Sequence, residues 1–202
     1  AMREAGRLGA KVMALTNVVG SSIAREAGKN VMYTYAGPEI AVASTKAYIT
    51  QVEVMLLIAV DLAVKRGKMT AEEAQAFLKE MAEIPAQAEA LMACESDVQR
   101  FTSKYYDRKH VFYIGRGIDN ALAMEASLKL KEVSYIMSEA YAAGELKHGT
   151  ISLIQKGTLV VSLMLNEDVL PKTVSNVKEV ASRGAKVICI TKEKKAHLFK
   201  DE

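Results

Sequence analysis

Gly184-Ala185-Lys186-Val187-Ile188-Cys189-Ile190-Thr191 is an apolar run entered through a glycine, and it follows the charged helical stretch KEVASR. A second copy of the pattern stands near the start: Gly9-Ala10-Lys11-Val12-Met13-Ala14-Leu15-Thr16, after REAGRL. Five of the eight positions are identical. A helix, a glycine turn and a strand used twice reads as a duplicated unit. Helix–glycine–strand turns are common in α/β proteins, so the match alone leaves both explanations open.

Three further runs share the character of these two. They are Asn30–Tyr35, His110–Ile114 (HVFYI) and Thr158–Leu165 (TLVVSLML). Near-continuous apolar strands of this kind, alternating with helices, belong to a parallel sheet covered on both faces. The expected class is α/β in three layers. Between the strands, Ser44–Arg66 reads as one long helix with Ser44 as N-cap and an end at Gly67. It is apolar on most sides, which predicts a place between other layers. Thr70 and Glu73 have capping-box spacing and open a second helix, which stops before Pro85. A third is expected from Pro85 to about Tyr105.

The chain has 202 residues, half of them apolar, with 27 basic and 24 acidic side chains for a net charge of +3. That composition fills a core and excludes disorder. The charge balance, with no basic stripe interleaved with aromatics, gives no reason to expect a nucleic-acid partner. The longest apolar run, Val54 to Val60, is far short of the about 20 residues a membrane span needs, so no membrane partner is expected. Two cysteines, Cys94 and Cys189, have no metal-site spacing and suit a reducing, cytoplasmic setting.

Three segments hold residues able to do chemistry. In AGPEIAVASTK (36–46) a Gly-Pro turn leads to a helix start at Ser44 and Thr45. Unpaired N–H groups there suit an anionic or hydroxyl-rich ligand, although plain capping by Ser44 is the commoner outcome. In EASLKLKE (125–132) Lys129 and Glu132 are three apart and share a helix face. A carboxylate beside an ammonium can shuttle protons, and a solvated ion pair is the commoner alternative. In EAYAAGELKHG (139–149) small residues surround His148, which could move protons near neutral pH or simply hold a hydrogen bond. Gly115-Arg116-Gly117 after a strand lacks the third glycine of a dinucleotide site, since Asn120 stands there, and nicotinamide binding is set aside.

Taken together, AGPEIAVASTKAY, GRG…AMEASLKLKEVSYI and SEAYAAGELKHG resemble the isomerase region of the glutamine–fructose-6-phosphate aminotransferase (isomerizing) family, over essentially the whole chain. The resemblance implies two SIS-type three-layer domains with parallel sheets flanked by helices, here divided as 1–84 and 85–202, and no cofactor or metal. It implies an enzyme that converts fructose 6-phosphate and glutamine-derived ammonia to glucosamine 6-phosphate. By motif, Glu132 matches the base that moves a proton between C1 and C2 of the sugar, and Lys129 the lysine beside it. His148 matches the ring-opening histidine, supplied across a homodimer. Val42 and Ser44 match sugar-contacting positions. A non-catalytic SIS phosphosugar-binding module is the alternative.

The resemblance also sets expectations about what the 202 residues lack. Gly184 lies 74 positions after His110, whereas only eight residues precede Gly9, so the first unit is expected to be incomplete. The family's Ser/Thr-rich phosphate loop, its C-terminal Schiff-base lysine and its N-terminal glutaminase domain have no counterpart here, and the piece alone is expected to be inactive or nearly so. Met137 and Ser138 replace a His-Ala pair of the family, and Thr150 stands where some members have Pro.

Overall fold

In the computed structural model, residues 1–199 are described, and they divide into two compact units, Ala1–Glu95 and Ser96 onward. Both are built from parallel strands flanked by helices, as the sequence predicts.

The first unit holds α1 (Met2–Arg7), β1 (Ala14–Thr16), α2 (Ser22–Ala27), β2 (Val31–Tyr33), α3 (Thr45–Lys65), α4 (Ala71–Ala82) and α5 (Ile84–Met92). β1 and β2 pair in parallel, with Ala14 opposite Val31. Both strands are shorter than the runs that predict them, because a strand with one neighbour has half the ladder to hold its ends. The Ser44 hydroxyl accepts from the Ala47 N–H, so α3 starts at the predicted cap. Thr70 and Glu73 form the reciprocal capping box at the start of α4. The predicted burial of α3 is not observed. Only Val60 is buried, while Met55, Leu57 and Leu62 stay exposed. This helix is long and apolar enough to cross a membrane by length and composition, a test that core helices of soluble proteins also pass.

The helix predicted from Pro85 to Tyr105 is two helices, α5 and α6 (Glu95–Thr102). The break comes where Ala93 and Cys94 donate to Ala90 and Leu91, three residues back, which tightens the last turn and ends it.

The second unit continues with β3 (His110–Gly115), α7 (Ile118–Ser134), β4 (Met137–Ala142), β5 (Leu159–Met164), α8 (Leu170–Ser182) and β6 (Lys186–Thr191). Its four strands are parallel in the order β4-β3-β5-β6. The β5 strand is buried along its whole length, as a central strand covered on both faces must be. On one face Phe112, Ile114, Val160, Met164, Val177 and Val180 form the main core. On the other, Val111, Leu159 and Val161 pack with Leu130 of α7. Ile114 and Val160 are 0% exposed, and each contributes about 1.5–3 kcal/mol by leaving water.

The two GAKV turns have a common geometry. Gly9 and Gly184 have φ of 84° and 89°, each between a helix and the strand it feeds. At Gly184 the space is also closed, since an added Cβ would lie 3.0 Å from the Lys156 Cα. Both glycines therefore meet the same backbone demand, a left-handed turn that side chains resist.

Candidate functional site

Spacing on α7 does bring Lys129 and Glu132 together. The Lys129 ammonium donates to Glu132 Oε2 at 2.6 Å and lies 3.5 Å from Glu125 Oε1, one turn back. About a fifth of each of the three side chains is exposed, so the cluster is open on one side and shielded on the other. The Glu132 hydrogen bond, and to a smaller degree the two carboxylate charges, raise Lys129 above the ordinary lysine range. One fixed positive charge between two carboxylates can hold a carboxylate in place and steady charge on a polar ligand.

His148 ends a 3-10 turn, Leu146–His148, at the C-terminal end of β4. Leu146 is buried in the core and anchors the turn, leaving the imidazole exposed. Glu132 lies five residues before β4 and His148 six residues after it. Among the described residues no hydrogen bond or ion pair joins the two side chains, and the Glu132 carboxylate is engaged by Lys129.

In the first unit, Val42 is 91% exposed and Ser44 is committed to its cap, so the commoner capping role is realised there. The approach to Ser44 is shaped by Asn17, which sequence reasoning missed. Its Oδ1 accepts from Thr34 Oγ1 and the Ala36 N–H, and its Nδ2 donates to the Gly37 carbonyl at 2.7 Å. Lys46 then donates to the Pro38 carbonyl. These bonds fix the AGPE turn, with Tyr35 in the left-handed region at φ 52°.

A second residue missed from sequence is Asp119, in the first turn of α7 and 0% exposed. Its Oδ2 accepts from the Leu165 and Asn166 N–H groups, both at 3.0 Å, and ties the helix start to the end of β5. Arg116 of the GRG loop donates to Asn176 of α8 and lies against Gly144, where an added Cβ would be 2.6 Å from its guanidinium. The Arg116 side chain of this turn is thus directed to Asn176 and Gly144.

Residues 1–61 and 104–201 match the SIS domain. The chain is 52% identical over 193 residues to the glutamine–fructose-6-phosphate aminotransferase (isomerizing) of Caldanaerobacter subterraneus subsp. tengcongensis. It is 53% identical over 193 residues to that of Clostridium acetobutylicum. Each alignment covers 96% of this chain and 32% of the relative, so the chain spans about a third of the length of the curated relatives it matches. Among solved structures, the C-terminal domain of the glucosamine-fructose-6-phosphate aminotransferase of Francisella tularensis superposes with a TM-score of 0.91 at 32% identity, over 97% of this chain and 55% of that one. The glucosamine-6-phosphate deaminase of Thermotoga maritima, at 22% identity and a TM-score of 0.70, shares the fold. The family resemblance drawn from VAST, SLKLKE and EAYAAGELKHG is borne out.

Proposed function

We propose that this chain, which belongs to the SIS domain family, is isomerase-region sequence of an enzyme that makes glucosamine 6-phosphate from fructose 6-phosphate and ammonia. The observation that carries the reading is the Lys129–Glu132 pair, held at 2.6 Å on α7 of a chain half identical to aminotransferases of that name.

Ammonia condenses with the C2 carbonyl of the open-chain ketose and water leaves, and the resulting C2 imine becomes the 2-amino-aldose through a 1,2-enolamine. Glu132 takes a proton from C1 and returns one to C2, a task for a single carboxylate placed over both carbons. Lys129 holds that carboxylate in place and stabilises charge at the neighbouring oxygens. His148 opens the sugar ring in the site of a second copy of the chain. Val42 and Ser44 at the start of α3 contact the sugar. In this reading the domains are 1–84 and 85–202, the ammonia comes from a glutamine-cleaving portion, and the work is done in the cytoplasm.

The test is glucosamine 6-phosphate formation from fructose 6-phosphate and ammonium, by a protein carrying this region with the flanking segments its relatives have. Glu132→Gln should lower kcat by about 10²–10⁴ with sugar-phosphate affinity nearly kept. Unchanged turnover in that variant would remove Glu132 from the chemistry. Tight sugar-phosphate binding with no turnover in the unmodified protein would instead favour a binding module.

A further inference from the structure

A cavity of about 550 Å³ opens at the N-terminal ends of β3, β4 and β5, and Glu132, Lys129 and His148 do not line it. Its origin is topological. The crossover from β4 to β5 contains two 3-10 turns, Leu146–His148 and Thr150–Leu153, where the other crossovers of this unit carry helices of 17 and 13 residues. The α8 helix packs on β5 and β6, so the β3–β4 half of that sheet face keeps an uncovered stretch.

The walls and the rim differ in chemistry. Phe112, Met137 and Leu153 supply apolar wall, and Arg108, Lys109 and Lys156 bring three positive charges. Glu139 is the single carboxylate of the lining, and it already accepts a hydrogen bond from the Tyr141 hydroxyl. Among the described residues neither lysine has a carboxylate partner. The Arg108 Nε is buried without a hydrogen bond, and Asp107 is 3.6 Å away. The Arg108 charge is thus partly met by Asp107, and the two lysines are, among the described residues, the cavity's unpaired cations.

The rim is also held rigid. The Lys156 Cα sits so close to Gly184 that a Cβ there would be 3.0 Å away. Gly157 donates to the Gly184 carbonyl at 2.7 Å, and Thr158 Oγ1 accepts from the Gln155 N–H. A pre-formed rim loses little freedom on binding.

We propose that this cavity is a second ligand site, one that takes a small organic anion: a phosphate or carboxylate against Lys156, Lys109 and Arg108, with an apolar ring body against Phe112, Met137 and Leu153. Its volume lies within the range of small-molecule pockets, about 300–1,000 Å³. Glu132, Lys129 and His148 lie outside the lining, so the site is distinct in place from the proposed isomerase site.

The test titrates the 202-residue chain with 2-naphthyl phosphate and, separately, 2-naphthoate, read by amide chemical shifts. The expected shifts cluster at residues 108–112 and 153–159, and the tighter of the two probes identifies the preferred anion. Uncharged 2-naphthol and inorganic phosphate alone should each bind at least about tenfold more weakly, since each offers half of the recognition. Lys156 is exposed, so Lys156→Glu should keep the fold and weaken both anions about tenfold or more, and Lys109→Glu gives an independent second reading. Shifts confined to other surfaces, equal binding by 2-naphthol, or unchanged affinity in both charge-reversal variants would overturn the proposal.

Discussion

Lys129 Nζ lies 2.6 Å from Glu132 Oε2 and 3.5 Å from Glu125 Oε1, so one ammonium serves two carboxylates unequally. Replacing Lys129 by Met should therefore lower kcat for glucosamine 6-phosphate formation by about a hundredfold with little change in KM, because the carboxylate loses its fixed partner. Glu125→Gln should change kcat only a few-fold. Steady-state kinetics of the two variants compare them directly. Equal losses would mean that the cluster acts only by holding the helix face together.

Ser44 is asked to do two things, and two substitutions separate them. Its hydroxyl caps α3, so Ser44→Ala should destabilise the protein by about 1 kcal/mol, while Ser44→Gly costs only a few tenths. A Ser44 hydroxyl that also contacts sugar requires both variants to lose substrate affinity alike. Thermal unfolding gives the first ranking and KM the second. Affinity that simply follows stability would leave capping as the sole role.

Buried Ser127 and Ser138 explain how the chain accommodates one of its departures from the family pattern. Their hydroxyls are 3.0 Å apart, and Ser138 also reaches the Ser127 carbonyl at 2.8 Å. Either single change to Ala strands or empties a buried polar contact, at about 1–2 kcal/mol. The double change should cost less than the sum of the two by about 1 kcal/mol. A denaturant-melt cycle over the four proteins measures this, and strict additivity would show that the contact carries no coupling.

Glu167 stands at the end of β5 with Lys192 at 2.7 Å and Lys194 at 3.3 Å from one oxygen and Lys195 at 3.7 Å from the other. Hydrogen bonds from Lys192 and Lys194 hold its carboxyl down to about 2, from 4.5. A depressed carboxyl stabilises the fold above its unfolded value and loses that contribution as pH falls through the folded one. The stability gap between the unmodified protein and Glu167→Gln should thus be full above pH 4.5 and close between 4.5 and about 2. The group is exposed, so added salt should narrow the gap at neutral pH as well. A gap independent of pH would assign the effect to packing.

Much of the fold is legible in residue order. Lys186–Thr191 is a strand over the run that predicts it, and α3 and α4 start at their predicted caps. The strand Met137–Ala142 is not legible, because MSEAYA has few β-favouring residues and sits at the sheet edge, where β3 alone holds it. The pairing of Lys129 with Glu132 follows from helical spacing. The tie from Asp119 to Leu165 and Asn166 spans 46 and 47 positions, and the hold of Asn17 on Gly37 spans 20, so local pattern gives no hint of either. The cavity near Phe112 arises from a missing helix, which no motif announces.

The central claim is that Glu132 of one copy and His148 of another serve a single hexose. Mixing inactive Glu132→Gln and inactive His148→Ala proteins, each with the segments needed for turnover, tests it most directly. Random reassortment into mixed dimers should restore about a quarter of the unmodified rate, because half the dimers then hold one intact site of two. A mixture that exchanges subunits and stays inactive would contradict the account.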